Sequence, residues 1–244
     1  MATDARIDAF WYSGGLTIGA GMWKVFRIIT TTEDVERSTL VKVGKLEHLK
    51  QLRETGCIYM NPVSYFRGLE NDELRQDHYE CSEYVTRGNE GQGKVTFPNG
   101  EKATLNIERW ELWQDPKSPE KTNLFCKYAL RPDYGSFPVN QRIFDLGDHS
   151  LVMMEPQSFI RKIEQALSKK DLKAKANLVS YVDQTYQGPM GPFRKRDNYA
   201  YQSEWRLIVR SGSEEPFKLY IGDITDISII INTSEINQLI SVAP

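Results

Sequence analysis

Strand-like runs outnumber helical ones in this 244-residue chain, and turns rather than helices join most of them. That limits the folds open to it more than any other feature, because a sequence without βαβα alternation does not build a doubly wound parallel sheet. MWKVFRIITT (22–31) and the stretch from Ser38 to Val43 are rich in β-branched and aromatic residues and read as strands. The same holds for 57–60, 124–130, 178–182, 204–210, 217–221 and 227–231. KVTF and EKATLNIERWELW flank Asn99-Gly100, a hairpin signal that favours a type I′ turn. Helical spacing stands out in two places. Leu46, Leu49 and Leu52 mark a helix from Lys45 to Thr55 that Gly56 ends, and Phe159, Ile160, Ile163 and Leu167 mark another from Pro156 to Ser168. Pro62 opens a helical turn. Residues 70–93 are strongly polar and read as an exposed loop or lid, and 132–151 show no period.

The expected fold class is therefore α+β: a single domain over 22–244 with a mainly antiparallel sheet, whole or split, and a few flanking helices. Residues 1–21, with Gly14, Gly15, Gly19 and Gly21, read as a loosely ordered entry segment. A net charge of −2 gives no overall pull toward nucleic acid or anionic membrane. Cys57, Cys81 and Cys126 are odd in number and unrelated in spacing, which argues against a disulfide framework or zinc motif and for a reducing compartment. No apolar run approaches the roughly 20 residues that a bilayer span needs, so a cytoplasmic protein without membrane contact is expected.

Three constellations carry candidate chemistry. Lys42, Lys45 and His48 lead through a short helix to Tyr59, Asn61 and Tyr65, a compact way to line a cleft, although most single lysines and histidines are solvated. Glu70, Asp72, Glu73, Arg75, Asp77, His78 and Glu80 form a dense charged run, which is ordinarily a solvated surface. The third is Phe193-Arg194-Lys195-Arg196 through Tyr199, Tyr201, Gln202, Ser203, Glu204, Trp205 and Arg206, where a glutamate opens an otherwise apolar strand beside aromatics and cations. That placement suits general-base work or stabilisation of a developing cation, and the alternative is an ion pair of Glu204 with Arg206 or a neighbouring lysine.

KVGKLEHLKQLRETGCIYMNPVSYF, ENDELRQDHYE and FRKRDNYAYQSEWRLIV together resemble uncharacterised bacterial and phage proteins related to the DUF2971 family. More distantly, the layout is similar to ADP-ribosyltransferases of the DNA-modifying toxin type: a polar residue on an early strand, a helix ending in Gly, a strand with tyrosine, and a late glutamate. That likeness implies NAD as substrate in a bacterial or phage conflict system. Glu204 would be the catalytic glutamate, Tyr59 or Tyr65 would stack on nicotinamide, and Lys42 or Lys45 would hold the early NAD-contacting position. Arg75 and the 194–196 run would meet the pyrophosphate, with His48, Asn61, Gln202 and Arg206 nearby. These enzymes place His or Arg where this chain has Lys42. Two other readings stand beside it: a non-catalytic module that binds a nucleotide, nucleic acid or a protein, and a metal-dependent nuclease using Asp72, Asp77, Glu80 and Glu204. Nothing in the sequence fixes the oligomeric state.

Overall fold

The computed structural model describes residues 38–69, 74, 76–116, 121–131, 136–211 and 213–239. The predicted strand at 22–31 and the glycine-rich start lie outside them. The fold is mixed α+β with mostly antiparallel strands. At its centre is β7 (Asn123–Leu130), six of whose eight residues are apolar and all but one of which are buried. One edge of β7 pairs along its length with β13 (Glu204–Arg210), which in turn pairs with β9 (Lys173–Leu178). The other edge is shared. β1 (Thr39–Gly44) takes Tyr128 to Leu130, and β2 (Cys57–Pro62) takes Asn123 and Leu124. Both are antiparallel to β7, so the sheet forks there. One arm continues through β8 (His149–Met153) to β15 (Ser228–Asn232), and the other ends at β14 (Phe217–Tyr220).

Helix α1 (Leu46–Thr55) bridges the two arms, burying Leu49 and Leu52 as its spacing predicts. It ends at Gly56 with φ of 63°, where a Cβ would lie 2.0 Å from the Gly222 carbonyl oxygen, so only glycine fits. α2 (Val63–Arg67) is the turn that Pro62 opens. The long helix α3 (Pro156–Lys170) starts with Pro at its first position and ends with Lys169 and Lys170 near its C-terminal dipole. It buries Phe159, Ile160, Ile163 and Leu167 against Trp205, Leu207 and Phe125 on one face of the sheet. Each such side chain contributes about 1.5–3 kcal/mol on burial. The opposite face carries two smaller apolar clusters, around Tyr128 and Val152 and around Leu124 and Ile208.

Several sequence expectations are corrected. Most of 84–93 is strand, not loop: β3 (Tyr84–Gly88), and β4 (Gly91–Thr96), which starts three residues before the expected KVTF strand. The segment EKATLNIERWELW divides into β5 (Lys102–Ile107), which pairs with β4, and β6 (Trp110–Gln114), which returns to β3. The hairpin turn is not type I′, because Pro98 locks φ negative and only Gly100 has positive φ (86°), with its N–H donating to the Phe97 carbonyl at 2.9 Å. KAKANL forms β9 despite its lysines, since Ala174, Ala176 and Leu178 face the core and the lysines alternate outward. The rest of 178–182 turns off into the short β10 (Ser180–Val182), which lies parallel to β12 (Arg194–Arg196); β11 (Gly188–Pro189) pairs with β3. In the stretch without period, a 3-10 helix spans Gln141–Leu146 and β8 begins at His149. Among the described residues no helix is long and apolar enough to cross a membrane.

Candidate functional site

Side chains alternate across a strand, and this alternation sorts the sequence candidates. Tyr128 of β7 faces Val41 on one side and Glu204 on the other. Glu204 and Arg206 therefore share the face of Val41, and Lys42 leaves the opposite one. The Lys42 ammonium settles in the fork of the sheet, 5.0 Å from the Phe125 ring centroid, and donates to the Cys126 carbonyl at 2.8 Å, between the two stretches of β7 that β1 and β2 pair. One concave site holding Lys42 and Glu204 is thus not what the sheet builds. Lys45 precedes α1 and is exposed, and His48 is an exposed partner of Glu47 at 3.8 Å. Tyr59 is exposed on β2 beside Lys218 of β14, Tyr65 packs edge-on against Phe66, and Asn61 pairs with Leu124 in the second arm. Arg75 and Asp72 lie outside the described residues.

Lys195, Gln202, Glu204 and Arg206 do come together, and two residues of the polar run join them. Arg206 is 1% exposed and donates to Glu80 Oε1 at 2.6 Å and Oε2 at 2.9 Å, to Glu204 Oε2 at 2.5 Å and to the Pro192 carbonyl at 2.7 Å. Lys195 Nζ lies 3.1 Å from Glu204 Oε1, 3.3 Å from Glu80 Oε2 and 3.7 Å from Asp77, and donates to Gln202 Oε1 at 2.9 Å. Its ammonium also sits 4.6 Å from the Tyr199 ring. Buried cations must be paired, and Arg206 in mid-strand draws Glu80, and Lys195 draws Asp77, out of the surface position that their polar neighbours suggest. Three side chains then clamp the incoming backbone: Gln202 Nε2 donates to the Leu74 carbonyl at 2.7 Å, Tyr201 to the same oxygen at 3.4 Å, and Tyr199 to the Gln76 carbonyl at 3.0 Å.

The charges set one another. Burial works to raise the Glu204 carboxyl, and Arg206 and Lys195 more than reverse it, holding the group below the usual carboxylate range. Glu80 is lowered by the same two cations against a burial effect of opposite sign. Asp77 goes the other way: burial raises it, and Glu80 adds to the rise. With three carboxylates and two cations, the cluster is neutral when Asp77 holds a proton. Lys195 and Arg206 are both held above their ordinary values, burial opposing and the carboxylates prevailing. A metal-dependent nuclease centre is a poor match, because two cations already occupy the space among the carboxylates. Among the described residues no group of His, Cys, Asp and Glu is placed to hold an ion.

Glu204 also opens onto a cleft of about 410 Å³, walled by Tyr128, Tyr181 and Tyr201, with Arg131, Asn140 and Ser203 around it. The chain enters β13 through Ser203, a non-glycine residue at φ of 37°, whose Oγ donates to the Ala129 carbonyl at 2.8 Å. Such a conformation costs on the order of 1–3 kcal/mol and persists only where the surroundings enforce it. Here it turns the 3-10 helix Asp197–Gln202 into the strand and sets Glu204 at the strand mouth. The Glu204 N–H donates to the Tyr181 hydroxyl at 2.9 Å, tying the cleft wall to the strand.

Sequence reasoning joined Asp77 and Glu80 to Glu204 only as metal ligands and missed their pairing with Lys195 and Arg206; it missed Tyr128, Arg131 and Tyr181 as parts of this site altogether. The signal for a buried acid such as Glu80 was present in Arg206, a charge inside a strand of six consecutive buried residues. The architecture defines a mixed α+β protein with a forked antiparallel sheet and a polar cleft at the mouth of a late strand. No family model matches the chain, and no curated protein or solved structure matches it either.

Proposed function

We propose that this protein is an ADP-ribosyltransferase-like enzyme, or NAD glycohydrolase, that cleaves the nicotinamide–ribose bond of NAD in the Glu204 cleft. The observation that carries the reading is a carboxylate kept ionised by Lys195 and Arg206 at the floor of a tyrosine-walled cleft large enough for a nucleotide. A carboxylate held below its usual range is a poor proton acceptor, so its role is electrostatic rather than general-base. It accepts a hydrogen bond from a ribose hydroxyl and stabilises the positive charge that develops on the sugar. The bond from ribose C1′ to the pyridinium nitrogen breaks with its electron pair going to nicotinamide, which leaves neutral. An acceptor oxygen or water then bonds C1′ and gives its proton to solvent. The tyrosine rings serve as stacking walls, since the Tyr128 and Tyr201 hydroxyls are committed to the Ser136 and Leu74 carbonyls.

Nicotinamide release from NAD tests this. Glu204→Gln is expected to lower it about 100- to 1,000-fold, and a folded variant with wild-type turnover refutes the mechanism. One observation favours a second reading, a non-catalytic nucleotide-binding module: both Glu204 oxygens are already bonded and its side chain is only 10% exposed. Thermal stabilisation by nucleotides without nicotinamide release distinguishes that case.

A further inference from the structure

The phosphates of a nucleotide in this cleft need cations, and the basic run that the sequence suggested does not supply them. Arg194 donates to the Tyr186 hydroxyl at 3.0 Å and to the Pro189 carbonyl. Arg196 donates to the Asp183 and Tyr186 carbonyls, at 2.9 Å each, and its other terminal nitrogen lies 3.6 Å from Glu111. Lys195 is held inside the carboxylate cluster. All three hold the 183–192 segment and the cluster in place.

A second cleft of about 270 Å³ lies beyond Tyr201, which lines both. Its other lining residues are Gln76, His78, Arg142, Asn198 and Tyr199. The Arg142 guanidinium lies 3.8 Å from the Tyr201 ring centroid, and among the described residues it has no carboxylate partner. Its main chain is fixed by Asn140, whose Oδ1 accepts from the Arg142 N–H at 3.0 Å. The Tyr201 ring against it and the neighbouring Tyr199 are fixed as well, because their hydroxyls donate to the Leu74 and Gln76 carbonyls. A guanidinium held against a ring keeps its N–H edge available, and that edge matches two oxygens of a phosphate.

We propose that the smaller cleft is a phosphoryl-binding subsite, with Arg142 as its principal contact and His78 and Asn198 beside it. It serves a ligand whose ribose and ring occupy the larger cleft, and so it rests on the nucleotide reading of that cleft. Tyr201 is the wall between the two halves of the ligand, and the subsite makes a phosphate group a condition of tight binding.

Isothermal titration with three probes tests it: nicotinamide riboside, nicotinamide mononucleotide and inorganic pyrophosphate. The proteins are wild type, Arg142→Met, which keeps most of the apolar stem, and Arg142→Lys, which keeps the charge without the fork. Wild type is expected to bind the mononucleotide at least tenfold tighter than the riboside. Arg142→Met should abolish that preference while leaving riboside affinity unchanged, Arg142→Lys should restore part of it, and pyrophosphate should bind wild type and not Arg142→Met. Equal weakening of riboside and mononucleotide, or pyrophosphate affinity that ignores Arg142, overturns the subsite. If neither nicotinamide compound binds while pyrophosphate binds in an Arg142-dependent way, the subsite stands and the nucleotide reading of the larger cleft fails. No binding of any probe overturns both.

Discussion

Removing Arg206 tests whether the buried cluster, rather than the sheet alone, holds residues 76–82 against β13. The guanidinium makes four hydrogen bonds, three of them to Glu80 and Glu204, and has almost no solvent access. Arg206→Met replaces it with an apolar side chain that fits the strand but leaves Glu80 and Glu204 with Lys195 alone. Breaking a buried pair by removing one partner costs about 3–5 kcal/mol, because the remaining charge stays desolvated. With a slope of about 3 kcal/mol/M, the urea midpoint should fall by roughly 1–1.7 M. Glu80→Gln in the same protein removes the main orphaned charge. The double variant should therefore be more stable than the sum of the two single losses predicts, by about 2 kcal/mol, within the range for residues in one network. Urea unfolding followed by tryptophan fluorescence reads both quantities. An Arg206→Met loss below about 1 kcal/mol, or strict additivity, refutes the claim that the cluster is an energetic unit.

Lys127 is 2% exposed, its ammonium has no hydrogen-bond partner, and it lies 4.5 Å from the Phe159 ring centroid. Burial pushes its pKa well down, and Lys42 adds to that. A lysine with a lowered folded-state pKa destabilises the fold below its ordinary value, so Lys127→Met should stabilise the protein at neutral pH by about 1–4 kcal/mol. The gain should shrink in thermal unfolding as pH rises toward about 10.4. Asp77 has a raised folded-state pKa, so its contribution is full below the unfolded value and is lost as pH rises through the folded one. Asp77→Asn keeps the acceptor for the Tyr79 N–H at 3.0 Å, and should exceed wild-type stability at pH 7, with the gain fading as pH falls below about 4 in urea titrations.

The two long helices, the central strand and the strand opened by Glu204 were legible because periodicity and apolar runs speak for themselves at 46–55, 123–130, 156–170 and 204–210. β9 was not, because its core-facing residues are mostly alanines and its lysines dominate the local composition. Nor was the burial of Asp77 and Glu80, which depends on two cations more than 110 residues later in the chain. The gathering of Lys195, Gln202, Glu204 and Arg206 was partly legible, since they are close in sequence on β12, a turn and β13. The separation of Lys42 from Glu204 was not, because it follows from register: Val41 rather than Lys42 shares the Tyr128 face, and a one-residue shift would reverse it.

The proposed chemistry needs one carboxylate, that of Glu204, to be ionised and to face a nucleotide. Carbon-13 NMR of side-chain-labelled glutamates, with Glu204→Gln assigning the signal, observes that group directly. The Glu204 carboxyl should stay in its ionised position as pH falls from 7 to about 3, more than a unit past the ordinary glutamate value of about 4.3, and its signal should move when NAD is added. Titration at the ordinary value, or a signal indifferent to saturating NAD, contradicts it.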